Sequence, residues 1–111
     1  KSPTAAVTTL QKLIAAHPQE AAPLLLLARA QELAGDAAAA QQAYRKALER
    51  NPDQPAAKNN LAYLIADKGG DLEEALRLAT EASRKFPQSP NFADTVGYVY
   101  LKMKRTDAAL Q

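Results

Sequence analysis

The sequence predicts an all-α protein, an α-solenoid of antiparallel helix pairs, and three observations carry that prediction. The first is a repeat. Pro18, Pro52 and Pro87 lie 34 and 35 residues apart; Ala6, Ala40, Ala75 and Ala109 lie 34, 35 and 34 apart. Leu27-Ala28, Leu61-Ala62 and Val96-Gly97 share the period. The second is helical spacing of apolar residues within each period, at i, i+3, i+4 and i+7. The first helix of each pair (helix A) carries Leu24, Leu27 and Ala28, then Leu61, Ala62 and Ile65, then Val96, Gly97 and Tyr100. The second (helix B) carries Ala40, Tyr44, Ala47 and Leu48, then Ala75, Leu78, Ala79 and Ala82. The third is composition. Hydrophobic residues make up 47% of the 111 residues, much of that alanine, with 5% aromatics and no Trp. Alanine is the best helix former and lets helices approach closely. One helix pair cannot bury both of its faces, so pairs must stack.

Each helix has start and stop signals. Ser2-Pro3 supplies an N-cap and a proline at the first helical position, and that helix stops before His17-Pro18. Pro23 sits in the first turn of the second helix, which runs through Leu33 to Gly35. Asp36 caps the third, which ends near Arg50-Asn51-Pro52. Pro55 opens the fourth and Gly69-Gly70 ends it. Asp71 opens the fifth, with Glu74 three residues on as a capping box. Ser89-Pro90 opens a sixth that ends near Lys104, and Thr106-Asp107 opens a seventh. Connections of 3–5 residues make neighbouring helices antiparallel. Arg45-Lys46, Arg84-Lys85 and Lys102-Lys104 fall late in their helices, where the macrodipole favours cations.

These signals divide one array into residues 1–20, the second helix of a truncated repeat; 21–54, a full repeat; 55–89, a repeat with one extra turn residue; and 90–111, a partial repeat. The first helix is then a B helix without its A partner, and the sixth an A helix without its full B partner. Val96, Val99, Tyr100 and Met103 on one end, and Leu10, Leu13 and Ile14 on the other, are expected to be covered by self-association.

Charge excludes several function classes. Fourteen basic and 12 acidic residues leave a net charge of +2, interspersed rather than gathered into the dense basic stripe that nucleic acid requires. The chain has no cysteine, which removes disulfides, thiol chemistry and Cys-based metal sites. No apolar run is long enough for a membrane span. Lone His17 precedes a proline and has no second ligand at metal spacing. Glu73 and Glu74 lie in a first helical turn, where the dipole favours acids. Gly69-Gly70-Asp71 lacks the length and the lysine of a phosphate loop. No catalytic residue, cofactor or metal is therefore expected.

The residues resemble the tetratricopeptide repeat family over the whole chain. A small residue on helix A facing a small residue early in helix B (Ala28 with Ala40, Ala62 with Ala75), a large residue then alanine on helix B (Tyr44, Ala47), and a closing proline (Pro52, Pro87) match its pattern. The second repeat departs at the extra Gly69-Gly70 residue and at Ala79, where a larger residue is usual. The stretches at 59–82 and 93–110 are also similar to C-terminal repeats of bacterial tetratricopeptide proteins. Some of those are lipoproteins or outer-membrane proteins of exopolysaccharide and exosortase-type export, which directs the expectation toward a bacterial cell envelope.

The resemblance implies a non-catalytic scaffold that binds a protein or peptide partner in a concave groove lined by the A helices. Residues off the buried stripe and away from helix B should face it: Arg29 and Glu32; Asn59, Asn60, Tyr63 and Asp67; Asn91, Asp94, Tyr98 and Lys102. Tyr63 and Tyr98 lie one repeat apart, and each can serve a partner or pack on the next helix. Asn59 and Asn60 can bond a peptide backbone. Chaperone-type members clamp a carboxylate with Lys, Asn and Arg. Here Leu25 and Arg29, Asn59 and Asn60, and Asp94 stand at the matching places, so the lysines are missing and Asp94 would repel the carboxylate. Two other roles fit the same sequence: an architectural spacer in a longer envelope protein, and a regulatory domain fused to an enzyme.

Overall fold

A computed structural model describes residues 3–110, with side chains for 5–105. The expected Ser2 cap and the side chains of Thr106, Asp107 and Ala109 lie outside that range. Among the described residues all regular structure is helical: α1 (Pro3–Ala16), α2 (Ala22–Leu33), α3 (Ala37–Arg50), α4 (Pro55–Asp67), α5 (Leu72–Lys85) and α6 (Pro90–Leu110). They form two compact units, residues 1–53 and 54–111.

In the first unit α2 packs on both α1 and α3. Asp36 accepts from the Ala39 amide at 3.1 Å and starts α3. Gly35, at φ +83°, closes α2, with the Asp36 amide bonding back to the Gln31 carbonyl at 2.9 Å. This αL closure suits glycine and satisfies carbonyls the helix end leaves free. Ala28 and Ala40 are fully buried where the helices meet, with Tyr44 and Ala47 beside them. Arg50 Nε donates to the Pro18 carbonyl at 2.8 Å and ties the end of α3 to the α1–α2 turn.

In the second unit α4 packs on α5 and on α6, and α5 also packs on α6. Asp71 accepts from the Glu74 amide at 3.1 Å. Gly69 repeats the αL closure at φ +73°. The extra residue, Gly70, runs close to α4: a Cβ there would lie 3.2 Å from the Ile65 methyl. Ala62 and Ala75 are fully buried, as are Ala79 and Ala82. Lys58 bridges from α4 to Glu81 on α5 at 3.1 Å.

Three expectations are corrected. α6 is continuous from Pro90 to Leu110, with no seventh helix opening at Thr106-Asp107. No glycine or proline lies between Gly97 and the end of the chain, so nothing obliges the helix to stop. Tyr100, assigned to a buried stripe, is 56% exposed, and Gly97 is exposed too. No B helix folds back on that side of α6 among the described residues. Asn59, assigned to the groove, is only 3% exposed. Because α4 has both α5 and α6 as neighbours, its buried positions extend beyond a single stripe and take in Asn59.

Candidate functional site

The second unit brings four of the expected residues of α4 and α6 together: Tyr63, Asp67, Tyr98 and Lys102. Tyr63 and Tyr98 stack with ring centroids 5.0 Å apart and an interplanar angle of 23°. Both rings sit one repeat apart on A helices packed side by side, which is why equal positions meet. The Tyr98 hydroxyl donates to Asp67 Oδ1 at 2.7 Å, and Lys102 Nζ lies 5.4 Å from the Tyr98 ring centroid. Offset aromatic stacking and a cation over a ring each add a fraction of a kcal/mol to about 1.5 kcal/mol. Tyr98 is thus held on its hydroxyl and ring by the chain itself and is half-buried. Tyr63 keeps 44% of its surface exposed.

The remaining positions differ in character. Asn91 and Asp94 are exposed on the first turns of α6, and Asn60 is half-buried. Asn59 turns inward, and its Oδ1 has no hydrogen-bond partner. Thr95 is buried, and its hydroxyl donates to the Asn91 carbonyl at 3.2 Å.

In the first unit, Arg29 is exposed and pairs with Glu32 at 3.3 Å. Glu32 is largely covered and accepts the Tyr44 hydroxyl, so it serves the α2–α3 contact. A cleft of about 570 Å³ runs between α1 and α2, lined chiefly by Ala5, Ala6, Leu10, Leu26, Ala30 and Leu33, with Arg29 at its edge. The apolar stripe read on the second helix (Leu24, Leu27 and Ala28) leaves out Leu26 and Leu33. It gave no sign that α1 and α2 would open a cleft there, because that depends on how two helices splay.

Among the described residues no group of three or more His, Cys, Asp or Glu is placed to hold a metal. No helix among the described residues is long and apolar enough to cross a membrane. The Asp67 bond, then desolvation and the negative charge nearby, push the Tyr98 phenol up to about 12 from an ordinary 10.0. The bonded form is the neutral phenol. Its contribution is therefore complete below about pH 10 and is lost as pH rises through about 12. In a tyrosinate absorbance titration the late-ionising amplitude should fall by one tyrosine on Asp67→Asn, as Tyr98 loses the bond that raises it. A titration that Asp67→Asn leaves unchanged would contradict the bond.

Fold and repeat together define the class. The tetratricopeptide repeat family matches residues 2–55 and 34–90, and the chain belongs to it. No curated protein matches the sequence. Among solved structures the chain is similar to the Yersinia enterocolitica type III secretion chaperone SycD in complex with a peptide of the translocator YopD. The TM-score is 0.73 at 17% identity, over 98% of this chain and 82% of that one, a likeness of fold.

Proposed function

We propose that this chain is a non-catalytic protein–protein interaction module that holds an extended partner segment against the face shared by α4 and α6. The observation that carries the reading is Tyr63. It is a large amphipathic ring, 44% exposed, braced from behind by Tyr98 rather than free to swing. A pre-positioned tyrosine loses little entropy on binding, which is why tyrosine dominates interaction hot spots. Tyr98 acts as the positioning residue, since its own bonds are spent on Asp67 and Tyr63. Asn91 and Asp94 add exposed polar contacts on the same helix as Tyr98. The similar SycD structure is a complex with a peptide, which supports this mode of use for the fold.

Panning a random peptide library against the chain tests the proposal. Enriched peptides should lose at least about 1 kcal/mol of affinity on Tyr63→Ala, with helical circular dichroism unchanged. Tyr98→Ala should weaken them as well, by freeing Tyr63. Peptides that bind both variants as well as the parent would remove the site. The closed set of bonds around Tyr98 favours a second reading, an architectural spacer within a longer envelope protein, and panning that enriches nothing would support it. A setting in exopolysaccharide export rests on the wording of residues 59–82 and 93–110.

A further inference from the structure

The second unit shows how an A helix is covered in this protein, and it provides a template for two surfaces that remain open. Across the chain, the small residue of helix A and the small residue of helix B are buried as a pair. Ala28 and Ala40 are at 0% exposure, and so are Ala62 and Ala75. The same period places Gly97 on α6 and Ala6 on α1, and both are exposed. A Cβ at Gly97 would meet nothing within 4 Å. Tyr100, the counterpart of Ile65, is 56% exposed where Ile65 is at 2%. The α1–α2 cleft lies where, two repeats on, α5 and α6 receive α4. Its Ala6, Leu10 and Ala30 correspond to Ala75, Ala79 and Val99, all of which are at 0% exposure.

We propose that these two surfaces fit each other, with α6 of one molecule docking in the α1–α2 cleft of a second copy, head to tail. One-repeat translation of the contacts within each unit gives the pairing. Gly97 meets Ala6, small against small, as in the two buried pairs. Leu101, 44% exposed, meets Leu10; these stand where the first unit pairs Glu32 with Tyr44 and the second has Ala66 with Ala79. An apolar pair in place of a hydrogen-bonded pair is a complementary match, because neither member leaves a polar group buried. The Lys58–Glu81 bridge of the second unit maps onto Ala93 and Lys12, and Asp94, next to Ala93, brings a carboxylate to Lys12. Tyr98 comes beside Arg29 in the place where Tyr63 stacks on Tyr98, and guanidinium–ring stacking is favourable. Two positions are mismatches: Lys102 falls where Asp67 stood, offset by Glu32 beside Arg29, and Asp94 falls where Asn59 is buried, offset by Lys12. The interface is heterologous, so it extends rather than closes.

The test uses two substitutions that leave the fold intact. Ala6→Glu places a charge in the cleft on an exposed helical position. Gly97→Glu places one on α6, where the Cβ is unobstructed and helix propensity improves. Sedimentation of the parent chain should show mass rising with concentration beyond a dimer. Each variant should self-associate at least about tenfold more weakly, with unchanged circular dichroism. An equimolar mixture should recover a dimer and stop there, because the first variant keeps a sound α6 and the second a sound cleft. A parent chain that stays monomeric at every concentration would overturn the pairing. So would association that ignores either substitution, or variants that fail to complement.

Discussion

Enlarging Ala75 to leucine should lower the stability of the second unit by about 1–3 kcal/mol. Ala75 is at 0% exposure at the start of α5, and Ala62 on α4, also at 0%, occupies the matching position of the pair. α4 and α5 pack closely along this line because both carry small residues. Three extra heavy atoms have nowhere to go without parting the helices, and parting them would also loosen Leu61, Ile65 and Leu78, which are buried around the same contact. Ala40→Leu should act alike in the first unit, where Ala40 stands with Ala28. A thermal melt reads the effect, at roughly 4–8 °C per kcal/mol for a domain of this size. Ala56→Leu, exposed on the same α4, is the control and should leave the melt unchanged. Melts of Ala75→Leu and Ala40→Leu that match the parent would refute the helix register.

The opposite sign is expected at Asn59. Its side chain is 3% exposed and its Oδ1 has no partner. A buried acceptor left unbonded costs about 1–3 kcal/mol relative to hydration. Asn59→Leu keeps a side chain of similar volume and removes that cost, so the melt should rise by several degrees. The same change at half-buried Asn60 should bring no such gain, because Asn60 has bonding partners to lose. A melt that falls for Asn59→Leu would show that the oxygen is satisfied in solution.

Much of the second unit could be read without coordinates. Pro55 opening α4, the αL turn at Gly69 and the Asp71 cap are each decided within a few residues, by φ restriction, a missing Cβ and a short carboxylate. Their positions follow from local chemistry that no distant contact overrides. The alanine pairs were legible for a related reason. A period of 34–35 residues repeats the same environment, so two examples define the rule for a third.

The proposed binding face was only half legible. Helical geometry places Asn59, Tyr63 and Asp67 along one side of α4, and Tyr98 and Lys102 along one side of α6. It does not say how far α6 wraps that side. The structure buries Asn59, spends Asp67 and the Tyr98 hydroxyl on each other, and leaves Tyr63 as the exposed ring. Exposure of a helical residue is set by which neighbour covers it, and that neighbour is a helix some 30 residues away in sequence. The extent of α6 is a second case. Thr106 and Asp107 are good caps, but they cap only where a following helix folds back and packs, and a capping residue without that packing stays in the helix. The sequence by itself therefore determined the family, the helices and their small-residue contacts, because these are local or periodic. Tertiary structure alone decided which polar side chains face inward and which surfaces of α1, α2 and α6 stay open, because burial belongs to pairs of helices.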